Sequence, residues 1–308
     1  MRTTFIKNLT KIAAENKNIF LLTGDLGFSV LEEFAAKFPE RFFNVGVAEQ
    51  AAVGIAAGLA LAGKQPFFYS IIPFVTMRPF EQIRNDICYQ NLNVKLVGVG
   101  AGLSYGKYGP THHAVTDIAV MRALPNMIVI APGDPIEIKL ALKKIIEHPG
   151  PVYLRIGKKG EPIIHKQEFD FQIGKGIILS DGSDITIFAT GNMLETAKNV
   201  ADKLNEQGIS VRLVSMPTIK PIDSELIVES ANCTKILFSL EEHSVIGGFG
   251  SAIAEVLVGL DKRPPLKILG IKDKFVKEVG SQNYLRDLHE LSEKKVTARI
   301  KEEYSKVI

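Results

Sequence analysis

One carboxylate stands at the start of an unusually apolar segment. Glu49 precedes residues 51–63, which consist of Ala, Gly, Val, Ile and Leu. A helix that is apolar on every side is expected to be buried, and a Glu is rarely buried without a partner. The helix N-terminus favours the ionised carboxylate, whereas burial favours the protonated form. We therefore expect Glu49 to exchange or share a proton with a partner, although position alone fits a half-solvated helix-start Glu equally well.

A long glycine-rich loop carries the second candidate. Residues 100–116 (GAGLSYGKYGPTHHAVT) contain His112 and His113 and follow an apolar strand. Binding residues collect on such loops, beyond the carboxyl ends of strands. A His can donate a hydrogen bond to a developing oxyanion, but a loop His is as often bound to local backbone. Because adjacent side chains point apart, no metal site is expected here.

Aromatic and basic residues supply weaker candidates. Four aromatic side chains cluster on and after one predicted strand: Phe67, Phe68, Tyr69 and Phe74. Most such rings belong to a core, but one of them could stack on a planar ligand. A second set lies at the ends of predicted elements and could hold a phosphate: Arg2, Ser29, Arg78, Arg155 and Lys158. Scattered charges of this kind are usually plain surface charge.

The order of elements predicts an α/β fold with two domains. Near-continuous apolar strands alternate with amphipathic helices, which is typical of a mostly parallel sheet flanked by helices. The rhythm breaks in a stretch rich in Gly, Lys and Pro and then resumes. We predict a first domain over residues 1–160, a linker over 161–180, and a second domain over 181–308.

Composition narrows the class of protein. The 308 residues are 46% hydrophobic and 23% charged, with a net charge of +3, so neither a nucleic-acid surface nor a membrane span is expected. Cys88 and Cys233 have no nearby Cys or His in the sequence, which favours a reducing compartment. The expectation is a cytoplasmic protein.

Five blocks occur in a characteristic order. They are GDLG (24–27), VGVAEQ (45–50), YGPTHH (108–113), RALPNMIVIAPGD (122–134) and EEHSVIGGFGSA (241–252). Taken together, they resemble the C-terminal half of a transketolase. The resemblance implies a pyrimidine-binding domain followed by a transketolase C-terminal domain, and thiamine diphosphate as the cofactor.

The resemblance also implies roles around the cofactor. Glu49 matches the Glu that hydrogen-bonds a ring nitrogen of the aminopyrimidine. Phe74 is the best positional match for the stacking aromatic, with Phe67 or Tyr69 as alternatives. Asp25 falls near the cofactor and the subunit interface.

Further matches concern the substrate. His112 matches the His that contacts the reacting oxygens, and Arg2 and Ser29 match phosphate contacts. The phosphate-binding Arg near the end of the first domain is shifted to Lys158, with Arg155 close by. Gly100 and Tyr108 replace a His and an Asp that touch sugar hydroxyls in familiar transketolases, so the identity of the sugar stays open.

The motif that binds Mg²⁺ and the diphosphate in this family is missing from the sequence. Thiamine enzymes bind Mg²⁺ and the diphosphate through G-D-G and a later Asn, but Gly24-Asp25 is followed by Leu26. The resemblance therefore implies a partner, an N-terminal-half subunit that carries this site, in an α2β2 assembly. This chain alone is expected to be inactive.

The implied reaction is the transfer of a two-carbon ketol unit from a ketose to an aldose-type acceptor. Two related activities remain as alternatives: that of a deoxyxylulose-phosphate synthase and that of the beta chain of a 2-oxo acid dehydrogenase. A non-catalytic partner subunit is a third alternative.

Overall fold

The structure is a computed structural model that describes residues 1–158 and 160–308. Its strands are β1 (Ile19–Thr23), β2 (Phe42–Asn44), β3 (Gln65–Ile71), β4 (Lys95–Val99), β5 (Ile128–Ile130), β6 (Val152–Ile156), β7 (Ile177–Ser180), β8 (Ile185–Ala189), β9 (Val211–Ser215), β10 (Thr218–Lys220), β11 (Ile236–Ser244) and β12 (Leu266–Ile271). Its α-helices are α1 (Arg2–Glu15), α2 (Glu32–Lys37), α3 (Glu49–Leu61), α4 (Ile72–Met77), α5 (Phe80–Gln82), α6 (Asp117–Arg122), α7 (Pro135–Glu147), α8 (Leu194–Glu206), α9 (Ser224–Cys233), α10 (Phe249–Leu257), α11 (Gln282–Leu288) and α12 (Glu293–Tyr304).

Two sheets organise these elements. The first has seven strands in the order β10-β5-β6-β4-β3-β1-β2, and the second has five in the order β12-β11-β8-β9-β7. All neighbouring strands are parallel except the pairs β10–β5 and β7–β9. Strands such as β4 and β6 are buried along their whole length because helices cover both faces of the sheet. The predicted α/β fold class with two mostly parallel sheets is confirmed.

The sheets do not divide at the predicted linker. Ile177–Ser180, which falls in the linker predicted from the sequence, forms the antiparallel edge strand β7 of the second sheet. Conversely, β10 lies in the predicted second domain but pairs with β5 of the first sheet. A three-residue strand carries too little pattern to reveal its pairing partner from sequence.

Helix α3 is only half buried, contrary to the expectation that an apolar helix lies wholly inside. One face packs in the core and carries Glu49, Ala52, Val53, Ala56 and Ala57. The opposite face is exposed and carries Ala51, Gly54, Ile55, Gly58 and Leu61. The expectation fails because one face alone packs on the sheet of this chain. The apolar outer face remains exposed, as is typical of an interaction surface.

The arginine of a buried ion pair in the first domain also contacts the second sheet. Arg155 Nε donates to Asp117 Oδ2 at 2.8 Å, and Arg155 Nη2 donates to the carbonyl oxygens of Ala114 at 2.9 Å and Glu242 at 3.2 Å. Both charged side chains are almost completely buried. Arg155 is predicted from the sequence to bind substrate, but its guanidinium is engaged inside the protein. We therefore remove it from the substrate-binding set.

None of the helices in the described residues is long and apolar enough to cross a membrane.

We predict that Arg155→Met lowers the free energy of unfolding by about 3–5 kcal/mol, because it leaves a buried Asp117 without its cation. The double variant Asp117→Asn/Arg155→Met should lose less than Arg155→Met alone, since it leaves no unpaired charge. Urea unfolding followed by circular dichroism measures these differences.

Arg299→Met is the matched control. Arg299 pairs with Glu302 and Glu303 from a half-exposed position, so its loss should cost less than about 1 kcal/mol. Equal losses for Arg155→Met and Arg299→Met would contradict the structural role of the buried pair.

Candidate functional site

Loops from several strands meet at the carboxyl edge of the first sheet. β1, β3, β4 and β6 run parallel and end at Thr23, Ile71, Val99 and Ile156. Ligand sites of parallel sheets form beyond this edge. The segments that follow these strands carry most of the candidates from the sequence, and Glu49 joins them because α3 follows the neighbouring strand β2.

Glu49 is buried and has a partner within the chain. Its side chain is 2% exposed, and its Oε2 accepts a hydrogen bond from Arg78 Nη1 at 2.7 Å. The other oxygen, Oε1, is buried and has no hydrogen-bond partner among the described residues. Gly24 lies next to it, since a Cβ built on Gly24 would be 3.5 Å from Oε1. The site thus contains an acceptor atom that is not yet satisfied.

Phe74 is connected to this carboxylate through Arg78. The guanidinium carbon of Arg78 is 4.0 Å from the centre of the Phe74 ring, close enough for a cation–π contact. The same ring meets His112, with centroids 5.1 Å apart in an edge-to-face arrangement. The structure therefore brings together Glu49, Arg78, Phe74 and His112, which are far apart in the sequence.

His112 is a half-buried member of an aromatic cluster. Its ring stacks on Tyr108 with centroids 5.1 Å apart, and Tyr105 lies 6.2 Å away. Burial and the charges of His113 and Arg78 lower the pKa of His112, so the imidazole is neutral at pH 7. Its Nδ1 is 2.9 Å from the Thr111 hydroxyl. When that hydroxyl donates, the ring proton is on Nε2, which can then donate to a ligand.

His113 points into the interior instead. It is buried, and its Nε2 lies 3.5 Å from the carbonyl oxygen of Gly106. Burial lowers the pKa of His113. The two adjacent histidines thus face different surroundings. Within the described residues, no cluster of three His, Cys, Asp or Glu side chains is arranged to hold a metal ion.

Gly100 provides the space for the aromatic cluster. Its φ is +91°, and a Cβ at this position would overlap Cε2 of the Tyr105 ring. A glycine is therefore required for both the backbone and the ring. Tyr105 is absent from the candidates predicted from the sequence, because nothing in the chain pattern signals that a ring folds back onto this glycine.

Basic residues lie next to this cluster. Lys158 Nζ is 4.5 Å from the Tyr105 ring centre and 5.7 Å from that of Tyr108. Arg2 Nε donates to the main-chain carbonyl of Lys158. The structure thus places two of the predicted phosphate-binding residues at one end of the aromatic cluster.

Asp25 and Ser29 lie in the exposed turn after β1. The side chain of Asn44 donates to Asp25 Oδ1 at 3.1 Å, and the main-chain nitrogen of Asp25 donates back to Asn44 Oδ1 at 2.9 Å. Asp25 and Ser29 both have positive φ angles, 55° and 63°. These two residues shape a strained surface turn at the edge of the site.

Tyr69 lies in the core, although it is predicted from the sequence to bind the cofactor. Its ring is fully buried and packs against Phe5, with centroids 6.3 Å apart and planes within 20°. Phe67 is equally buried and also packs on Phe5. Phe67 and Tyr69 lie on the same buried face of strand β3, so neither ring is accessible to a cofactor. Of the three aromatic alternatives, only Phe74 is partly exposed.

Comparison with known proteins identifies the family. The models described as the transketolase pyrimidine binding domain and the transketolase C-terminal domain match residues 1–161 and 174–296. A chain from Methanocaldococcus jannaschii, named for the C-terminal section of transketolase, is 43% identical over 99% of this chain and 96% of its own length. The chain belongs to the transketolase family. Its two sheets correspond to the pyrimidine-binding and C-terminal domains of transketolases.

Two further transketolase relatives cover nearly the whole chain. One of the subunits of an apulose-4-phosphate transketolase from Phocaeicola vulgatus is 39% identical over 89% of this chain and 88% of its own. A solved structure described as a split gene transketolase, in an inactive β4 tetramer, is 41% identical with a TM-score of 0.90, covering 100% and 99% of the two chains.

We predict that Gly100→Ala destabilises the protein by about 1–3 kcal/mol more than Gly63→Ala does, because only the first substitution displaces a ring. Gly63 is the matched control: its φ is +76°, but no atom lies within 4 Å of a Cβ built there. Thermal unfolding of both variants measures the difference. Equal destabilisation would show that Tyr105 adjusts freely and does not depend on Gly100.

Proposed function

We propose that this chain is the C-terminal subunit of a split, thiamine diphosphate-dependent transketolase. In this proposal it transfers a two-carbon ketol unit from a ketose to an aldose-type acceptor, and it does so only together with an N-terminal-half subunit. The observation that carries the proposal is the buried, unsatisfied Oε1 of Glu49, whose carboxylate is linked through Arg78 to a partly exposed Phe74 ring.

The residues present fit the pyrimidine end of this cofactor. A buried acceptor without a donor is costly unless a ligand supplies one, and a ring nitrogen of an aminopyrimidine can supply it. Phe74 offers a partly exposed aromatic ring that Arg78 links to the same carboxylate. We propose that Glu49 binds the pyrimidine ring and that Phe74 packs against it.

When bound, the cofactor would supply an electron sink for cleaving the bond beside a carbonyl. Glu49 would hold its aminopyrimidine ring through Oε1. The ring centre of the neutral His112 is 5.1 Å from that of Phe74. Its Nε2 can donate a hydrogen bond to a substrate oxygen. Contacts with the rings of Tyr105 and Tyr108 keep this imidazole in place.

A partner subunit completes the site in this proposal. The sequence contains no G-D-G segment, so the partner would bind Mg²⁺ and the diphosphate. A related chain forms a tetramer described as inactive when it consists of β chains alone, which supports this requirement. The exposed apolar face of α3, which begins at Ala51, offers a surface on which such a subunit would pack. An α2β2 assembly meets these conditions.

The substrate is proposed to be a small sugar with an anionic end. Arg2 and Lys158 place two cations beside the aromatic cluster. The name of the Phocaeicola vulgatus relative specifies a sugar phosphate. Lys158 interacts as a point charge rather than a fork, so the proposal does not restrict the substrate to ordinary pentulose phosphates.

We predict that Glu49→Gln lowers turnover of the reconstituted two-subunit enzyme by at least about 100-fold, because proton transfer through the pyrimidine needs a carboxylate. Turnover is measured with thiamine diphosphate, Mg²⁺ and a panel of ketose donors. Circular dichroism of the variant subunit should match that of the wild type, which shows that the loss does not come from unfolding. Wild-type turnover in Glu49→Gln would refute the assignment.

A second variant tests the substrate side of the site. We predict that His112→Ala lowers turnover by about 10- to 100-fold and changes the dissociation constant of the cofactor by less than about threefold. Steady-state kinetics and calorimetric titration of the two-subunit enzyme measure the two effects. The reverse pattern would place His112 in the cofactor site instead.

A further inference from the structure

The two oxygens of the Glu49 carboxylate have different surroundings. Oε2 receives a hydrogen bond from Arg78 Nη1 at 2.7 Å, whereas Oε1 is buried and has no partner among the described residues. A carboxylate that is held at one oxygen cannot rotate freely about its last bond. The direction in which Oε1 points is therefore set by the contact to Arg78.

Arg78 is itself held at both ends. Its guanidinium carbon lies 4.0 Å from the centre of the Phe74 ring. Its main-chain oxygen accepts a hydrogen bond from Gln50 Nε2 at 3.2 Å, and Gln50 is the neighbour of Glu49 in α3. Arg78 is thus connected to the start of α3 through its main chain and to Phe74 through its guanidinium.

The exposure of the two groups differs sharply. The side chain of Arg78 is 43% exposed, while that of Glu49 is 2% exposed. The cation therefore keeps part of its hydration, and the burial cost falls mainly on the carboxylate. An ion pair of this kind compensates the buried charge and leaves one carboxylate oxygen of Glu49 without a hydrogen bond, so that a ligand can donate to it.

We propose that Arg78 is a positioning residue for Glu49: it binds Oε2 and so directs Oε1 toward the ring nitrogen of the cofactor. This inference rests on the proposed function, because it takes Oε1 as the acceptor for the aminopyrimidine. It also changes the role that the sequence suggested for Arg78, from a substrate-binding residue to one that acts through Glu49.

The contact uses one N–H donor of the guanidinium. A lysine at this position could supply one donor and the same charge, whereas a methionine has a similar length and supplies neither. These two substitutions therefore separate the loss of the charged donor from the loss of packing on Phe74.

The experiment measures the dissociation constant of thiamine diphosphate, in the presence of Mg²⁺, for the reconstituted two-subunit enzyme. We expect Arg78→Met to weaken binding about tenfold, the effect of losing one charge-assisted hydrogen bond. Arg78→Lys should restore most of the affinity. Arg84→Met is the control, since Arg84 is exposed in the segment after α5 and its side chain bonds only to Asn85 in the described structure; it should bind the cofactor as the wild type does.

A double-variant cycle tests whether Arg78 acts through Glu49. In a Glu49→Gln background, Arg78→Met should change the dissociation constant by less than about twofold, because the ion pair is already lost. Thermal unfolding of each isolated subunit checks that the variants fold. Unchanged or tighter cofactor binding in Arg78→Met, failure of lysine to restore binding, or an additive effect in the double variant would each overturn the proposal.

These outcomes are separable from a failure of the proposed function. If Glu49→Gln retains wild-type turnover, the cofactor role of Glu49 fails, and the positioning role fails with it. If Glu49→Gln is inactive but Arg78→Met binds the cofactor normally, only the positioning role is wrong.

Discussion

The site depends on the cost of placing a charge where water cannot reach it. A carboxylate in the interior must find a compensating group, and Glu49 finds Arg78 at the end of α4. This requirement links segments that lie 29 positions apart in the chain and fixes the start of α3 relative to Phe74. The same constraint acts at Asp117 and Arg155, which form a buried ion pair within the first domain. Arg155 also donates to the carbonyl oxygen of Glu242 in the second sheet, so this one buried cation contacts both sheets.

Much of the fold can be predicted from the sequence because hydrophobic periodicity reports local structure directly. The apolar strands and the two α/β domains follow from that pattern, as does the position of Glu49 at the start of a helix. The helical stretch after β3 is broken at Pro79 between α4 and α5, since proline removes a helical hydrogen bond. Helix boundaries of this kind depend on single residues, which periodicity does not resolve.

Other features could not be predicted because they depend on contacts between distant segments. Nothing in the sequence around Arg155 indicates that Asp117 will be its partner. Tyrosines occur both in cores and in ligand sites, so the residue type of Tyr69 does not distinguish the two. Arg78 could be recognised as a cation at an element end, but its contact with Glu49 requires the tertiary fold. The exposed face of α3 is a further example, because a sequence that is apolar on every side does not reveal which face packs on the sheet.

The pairing of β10 with β5 has a consequence for how this polypeptide can be divided. A cut between the two domains would remove a strand from the first sheet and leave the hydrogen-bonding groups of β5 exposed at a bare edge, which invites aggregation. The first domain is thus expected to aggregate when it is expressed by itself. In evolution, a gene fission at that boundary would be penalised by poor solubility, so the two halves are expected to be inherited as one cistron.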